Sequence, residues 1–147
     1  MKMTSLRLLL LAAPLAVLSL AACSDDDSFS ASPDHRLAFS ADTVSLDTTF
    51  SRVPTTTRTF WVYNQSGDGL RCTSVRLRKG NQTGFRVNVD GMYLGQASGY
   101  QVGGVELRKD DSLRVFVELT SADTHSEVPE LLEDDLVFTL ESGVEQK

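Results

Sequence analysis

Residues 113–119 read Leu113-Arg114-Val115-Phe116-Val117-Glu118-Leu119. Leu113, Val115, Val117 and Leu119 fall on one side only if the chain is extended with a two-residue repeat, so this stretch predicts a strand with one buried face. Arg114 and Glu118 lie opposite. The same alternation unites Phe60 with Val62, then Phe85 with Val87 and Val89, then Leu136 with Phe138 and Leu140. Strands are predicted over 37–39, 43–46, 57–64, 70–77, 85–89, 100–107, 113–119 and 136–140. Turn-forming runs separate several of them: Gln65-Ser66-Gly67-Asp68-Gly69, Lys79-Gly80-Asn81, Asp90-Gly91 and Lys109-Asp110-Asp111. No long helical period interrupts the series. Beyond residue 22 the chain holds 13 Val and 12 Thr against 5 Ala, a β-branched excess that suits a pleated, half-buried surface. Around Cys72 the parity slips, because Leu70 and Cys72 are even whereas Val75 and Leu77 are odd. One extra residue near Thr73-Ser74 restores the inward face, which predicts a bulge there. Many short strands, each with one apolar face, pack as two sheets: an all-β antiparallel sandwich.

The N-terminus has a different grammar. Lys2 and Arg7 precede residues 8–20, thirteen residues without a charge. That run fits the apolar part of a secretory signal and is too short for a comfortable membrane span. It ends in Leu20-Ala21-Ala22-Cys23, which closely resembles the lipobox of bacterial lipoprotein signal peptides. The resemblance implies cleavage before Cys23 and acylation of its thiol and new amine by chains such as palmitate. An acyl chain contributes about 0.8 kcal/mol per buried methylene, and two or more on one residue anchor durably. The alternative is an ordinary signal peptide with Cys23 a bystander. Next, Ser24-Asp25-Asp26-Asp27 resembles the export signal that sends Bacteroidetes-type lipoproteins to the outer leaflet of the cell outer membrane. Surface exposure is the expectation, with a periplasm-facing lipoprotein as the alternative. Residues 28–33 are small and polar and read as a spacer. The chain thus divides into a signal peptide (1–22), an acylated cysteine with a flexible acidic tether (23–35) and a β domain (36–147).

Without residues 1–22, 125 residues remain, carrying 12 − 20 = −8 formal charge. That length suits one domain. The acidic balance excludes the basic surface that non-specific nucleic-acid binding requires. Two Cys and two His are too few for a zinc cage of the usual type.

The order of several short segments carries a further resemblance. Thr59-Phe60-Trp61-Val62-Tyr63-Asn64 is followed by Gly69-Leu70-Arg71-Cys72-Thr73-Ser74-Val75, then Phe85-Arg86-Val87-Asn88-Val89-Asp90-Gly91. Asp111-Ser112-Leu113-Arg114-Val115-Phe116-Val117-Glu118 and Asp135-Leu136-Val137-Phe138 complete the series. It resembles the N-terminal immunoglobulin-like sandwich of Bacteroidetes-type surface lipoproteins, over roughly residues 36–142. More distantly, the Phe-x-Val-x-Asn strand is similar to major-sperm-protein-like modules. The resemblance implies a sandwich of about seven strands, commonly followed by a right-handed parallel β-helix, and a scaffold or adhesion role without chemistry. The chain departs from the pattern at Leu140-Glu141-Ser142-Gly143-Val144, a strand, a turn and the start of a short return arm before Lys147. Either the last strand is truncated, or an edge is left open to a partner strand or a second copy.

Candidate chemistry is sparse. Cys72 lies among apolar neighbours and reads as a small buried side chain; with Cys23 acylated it has no disulfide partner. His35 in the tether and His125 in the loop 120–129 read as solvated. Asp110-Asp111 and Glu133-Asp134-Asp135 raise the idea of hydrolytic carboxylates or a calcium site, but Asp is expected beside such turns and no Asp-x-Asp-x-Asp-Gly loop exists. Arg71, Arg76, Arg78, Lys79 and Arg86 form a basic cluster, read as a solvated strand face or a contact for an anionic partner. Trp61 and Tyr63 face away from Phe60 and Val62, and exposed aromatics stack sugars. Asp42-Thr43-Val44, Asp47-Thr48-Thr49 and Asp111-Ser112-Leu113 resemble the O-glycosylation sequon of the same bacterial group, and Asn81-Gln82-Thr83 fits the N-glycosylation pattern. The expected function is therefore a lipid-anchored surface protein with a structural, adhesion or protein-interaction role. A glycan-binding accessory module is the alternative. No enzyme activity and no cofactor are expected.

Overall fold

The computed structural model describes residues 28–123 and 128–147. Among the described residues ten strands form: β1 (Leu37–Phe39), β2 (Arg58–Asn64), β3 (Leu70–Leu77), β4 (Phe85–Val89), β5 (Met92–Tyr93), β6 (Gln101–Val102), β7 (Val105–Leu107), β8 (Ser112–Leu119), β9 (Leu136–Leu140) and β10 (Glu145–Gln146). Two short 3-10 turns, Gly80–Gln82 and Gln96–Ser98, are the only helical elements among the described residues. The strands make two antiparallel sheets, ordered β1-β2-β8-β4-β5 and β10-β9-β3-β6, with β7 also on β3. The fold is all-β, as the alternation predicts.

The inward faces meet in one core. Phe60, Val62, Val87, Val89, Leu113 and Val115 of the first sheet are buried with Leu70, Cys72, Val75, Leu77, Phe138 and Leu140 of the second. The rings of Phe39 and Phe138 lie 5.4 Å apart across the gap. The predicted bulge is present: the β3–β9 register shifts between Cys72 and Ser74, so Leu70, Cys72, Val75 and Leu77 all point inward. Opposite it, the single strand expected over 100–107 is broken into β6 and β7. A Cβ on Gly103 would come within 2.8 Å of the Thr73 carbonyl oxygen, and Gly104 has φ +68. Only glycines let the edge follow the bulge so closely.

One further expectation is corrected. Residues 43–46 form no strand, although Val44 does pack on the core. β1 already occupies the edge of β2, so the segment finds no ladder partner; instead Asp47 accepts hydrogen bonds from Thr56 Oγ1 at 2.9 Å and Arg58 at 3.2 Å. The short return arm does pair, as Glu145 opposite Thr139 and Gln146 opposite Phe138. The Gln146 amide also bridges the sheets. Its Oε1 accepts from Leu37 N at 2.8 Å and its Nε2 donates to Leu37 O at 3.0 Å, doing for β1 what a neighbouring strand would do.

Candidate functional site

The outer face of the first sheet carries three exposed aromatics. Register places Thr59, Phe116, Asn88 and Tyr93 in one row across β2, β8, β4 and β5. Trp61 and Arg114 pair in the next row, and Tyr63 pairs with Ser112 beyond it. Trp61 is 40% exposed, Phe116 37% and Tyr93 50%. The Arg114 guanidinium lies 5.3 Å from the Trp61 ring centroid and 5.1 Å from that of Phe116. It is thus held between two π faces, whose quadrupoles attract a cation, rather than against a carboxylate. Beside it is a shallow depression of about 210 Å³ lined by residues that include Arg86, Asn88, Tyr93, Phe116 and Glu118. Arg86 Nε meets Glu118 Oε1 at 3.3 Å, and the Tyr93 side chain beside it, followed by Glu118, favours the guanidinium's charge. The face therefore combines flat apolar rings with fixed donors and acceptors, the combination that contacts both the C–H faces and the hydroxyls of a partner.

Trp61 stands where alternation placed it, whereas Tyr63 is only half-buried at the rim. Phe116 and Tyr93 escaped the sequence reading. Phe116 has the parity of Arg114 and Glu118, and that signal was available in the sequence. Tyr93 lies on the two-residue return of the Asp90-Gly91 hairpin, too short for a period to form.

The other candidates resolve as structural groups. Cys72 is fully buried, and burial pushes its thiol up to about 12, which leaves no thiolate for nucleophilic work near neutrality. His35 is not freely solvated: its side chain is 21% exposed and its Nε2 lies 3.9 Å from Asp68 Oδ2. Asp111 Oδ1 accepts from Ser112 N at 2.7 Å, and Asp110 occupies a positive-φ turn position. Asp134 accepts from Lys79 N at 3.0 Å and Thr83 Oγ1 at 3.0 Å, tying the segment before β9 to the end of β3. The two acidic groups flank opposite ends of β3, since Leu70 pairs with Leu107 and Leu77 with Leu136. That strand length separates them by roughly 23 Å, far beyond the reach of a carboxylate pair acting on one bond. Among the described residues no group of three or more acidic, His or Cys side chains is placed to hold a metal ion.

The basic cluster is matched by acids. Arg71 meets Glu106 at 2.9 Å and Glu141 at 3.5 Å, Arg76 meets Glu145 at 3.1 Å, and Arg78 meets Asp135 at 2.6 Å. Lys79 Nζ donates to the Glu133 carbonyl at 2.8 Å. Arg71, Arg76, Arg78 and Lys79 thus form a self-paired face, whereas Arg86 lies on β4 in the other sheet. Of the three sequon-like sites, Thr43 and Thr48 are exposed outside the strands, whereas Ser112 is half-buried at the start of β8. Gly80–Gln82 forms the 3-10 turn at Asn81-Gln82-Thr83. Cys23, Ser24, Asp25, Asp26, Asp27 and His125 lie outside the described residues. No helix among the described residues is long and apolar enough to cross a membrane. Comparison with protein-family models, with curated proteins and with solved structures returned no significant match.

Proposed function

We propose that this chain is an outer-membrane lipoprotein of the Bacteroidetes type, acylated on Cys23 and exposed at the cell surface. Its immunoglobulin-like sandwich serves a structural, adhesion or protein-interaction role through the outer face of the first sheet. The anchor reading rests on the Leu20-Ala21-Ala22-Cys23 pattern after an uncharged run, and the surface reading on the acidic residues that follow. The interaction reading is carried by one observation, the exposed Trp61–Arg114–Phe116 stack beside Tyr93. Rigid aromatics and arginine on a sheet face lose little entropy on binding and dominate interface energies. A non-catalytic role accords with the separated carboxylates and the inert thiol.

Glycan binding is the second reading, favoured by the depression that places Arg86, Asn88, Glu118 and the Tyr93 ring together. A pyranose offers an apolar face to a ring and hydroxyls to such groups. Three measurements test the scheme. Labelled palmitate enters the wild type and not Cys23→Ser. Proteinase removes the protein from intact cells; survival until lysis would overturn surface exposure. The mature chain is screened on glycan arrays and against surface extracts, and retention by either is lost in Trp61→Ala. No retention by any partner would sink the interaction reading.

A further inference from the structure

Residues 28–33 have the composition of a free spacer, yet the structure holds them on the domain. Phe29 forms a parallel bridge with Gly69. Gly69 N donates to Ser28 O at 3.1 Å, and Ser30 N donates to Gly69 O at 2.9 Å. The Arg71 guanidinium lies 4.6 Å from the centroid of the Phe29 ring. A Cβ at position 69 would approach Ser28 O to 2.8 Å and the Phe29 ring to 3.0 Å, so the contact requires glycine there. Downstream, His35 N donates to Ser32 O at 3.4 Å, and the His35 ring sits beside Asp68, in the same turn as Gly69. That turn is itself braced. Asn64, buried at the end of β2, donates its amide to the carbonyls of Asp68 at 2.7 Å, Leu107 at 3.0 Å and Arg108 at 2.9 Å. The docking surface is therefore fixed from beneath by a satisfied polar hub.

We infer that residues 28–35 are a docked strap that seats the sandwich directly on the membrane surface, with the turns 65–69 and 108–111 toward the lipid headgroups. The inference rests on the reading that Cys23 is acylated. Five residue-to-residue steps lead from Cys23 to Ser28 and allow at most about 17 Å of reach, whereas a tether free as far as Leu37 would allow about 48 Å. Docking thus converts a loose leash into a short attachment at one end of the strands. The strands then stand up from the membrane. The Trp61–Arg114–Phe116 face points sideways, toward neighbours in the same membrane. The turn bearing exposed Phe50, tied by Arg52 to Ser121 beyond the end of β8, becomes the distal tip.

The test uses the acylated mature chain in phosphatidylethanolamine–phosphatidylglycerol vesicles containing a headgroup-attached quencher. A fluorophore is placed on Lys109→Cys or on Gln82→Cys, both exposed, at opposite ends of the domain; the buried Cys72 does not compete for the label. Quenching is expected to be at least about twofold stronger at 109 than at 82, because the ends stand roughly 23 Å apart along β3. Phe29→Ala, which removes a ring from the surface and not from the core, brings the two sites toward equality; Gly69→Val is the second release variant. Amide exchange on the same samples, and on unacylated chain, reads docking by itself. Ser30 N–H is slowed in the wild type and fast in Phe29→Ala. Free-chain exchange at Ser30, or equal quenching at both sites in the wild type, overturns the strap. Ser30 protection in a chain that never associates with vesicles instead overturns the anchor reading, and the seating with it.

Discussion

The two outward faces of the sandwich differ in how a single cation is held. On the second sheet, arginines answer carboxylates: Arg71 lies between Glu106 and Glu141, and Arg76 faces Glu145. On the first, Arg86 likewise meets Glu118, but Arg114 is given to two aromatic rings. The paired face is electrically closed and offers a partner little that it does not already have. The aromatic face keeps apolar rings exposed and a cation whose attraction is only partly spent, so a partner that covers it gains apolar burial and charge together. That difference is the ground on which we propose the first sheet as the interacting face.

The core beneath is shared, and removing it should erase the distinction. Phe138 is 1% exposed and reaches across to Phe39. Phe138→Ala is expected to cost about 3–5 kcal/mol, the usual range for a buried aromatic, and to lower the urea midpoint and partner binding together. A midpoint that hardly moves would mean that the sheets do not depend on one core. The next effect separates the faces. Trp61→Ala and Arg114→Ala should each weaken partner binding by about tenfold or more, as truncated interface anchors do. Their unfolding free energies should change by no more than about 0.5–1 kcal/mol, the range for partly exposed positions. Titration of the purified mature chain with its captured partner, beside urea unfolding of the same samples, reads both numbers.

Much of this architecture was legible in the sequence because burial on one side of a strand leaves a two-residue signature. β1, β3, β4 and β9 fall where alternation places them, and the parity slip at Thr73-Ser74 marks the bulge. What escaped is what alternation does not encode. Residues 43–46 carry the pattern of a half-buried strand but find no edge to pair with, and pairing is a property of the fold. Residues 28–30 look like a spacer because a single Phe29 between two serines forms no apolar period. Their docking depends on a bare backbone at Gly69, far along the chain, where glycine alone reads as a turn. The aromatic face was half visible: Trp61 followed from parity, whereas Tyr93 joined it only through sheet order. The Gln146 clasp on Leu37 has no local signature.

A pH experiment sharpens the view from below the paired sheet. Cys72 points from β3 into the core, and burial raises its thiol from 9.0 to about 12. Above pH 9 the unfolded chain releases this proton while the folded chain retains it. The thiol's contribution to stability is therefore complete below pH 9 and declines as pH climbs toward 12. Other groups titrate in that window, so the informative quantity is the difference between wild type and Cys72→Ala, whose unfolding free energies should converge as pH rises. Below pH 9, iodoacetamide should modify Cys72 only in the unfolded protein, a result read by mass. Rapid labelling of the native chain near neutrality would contradict the closed core.

The smallest effect decides whether the paired face is as inert as its geometry indicates. Arg71 is its most connected cation, touching two carboxylates and the Phe29 ring. Its side chain is 36% exposed, so solvent screens each attraction, and exposed pairs of this kind contribute about 0.2–1 kcal/mol. Arg71→Ala should therefore lower stability within that range, and the loss should shrink in high salt. Arg71→Lys keeps the charge but not the planar fork that spans Glu106 and Glu141, so it should recover only part of the loss. Neither variant should alter binding at Trp61, which lies on the opposite sheet. Arg71→Ala should, however, speed amide exchange at Ser30, because the ring on Gly69 loses the cation stacked on it. A large binding defect in Arg71→Ala with Ser30 still protected would place a partner on the charged face and reverse the assignment of the two sheets.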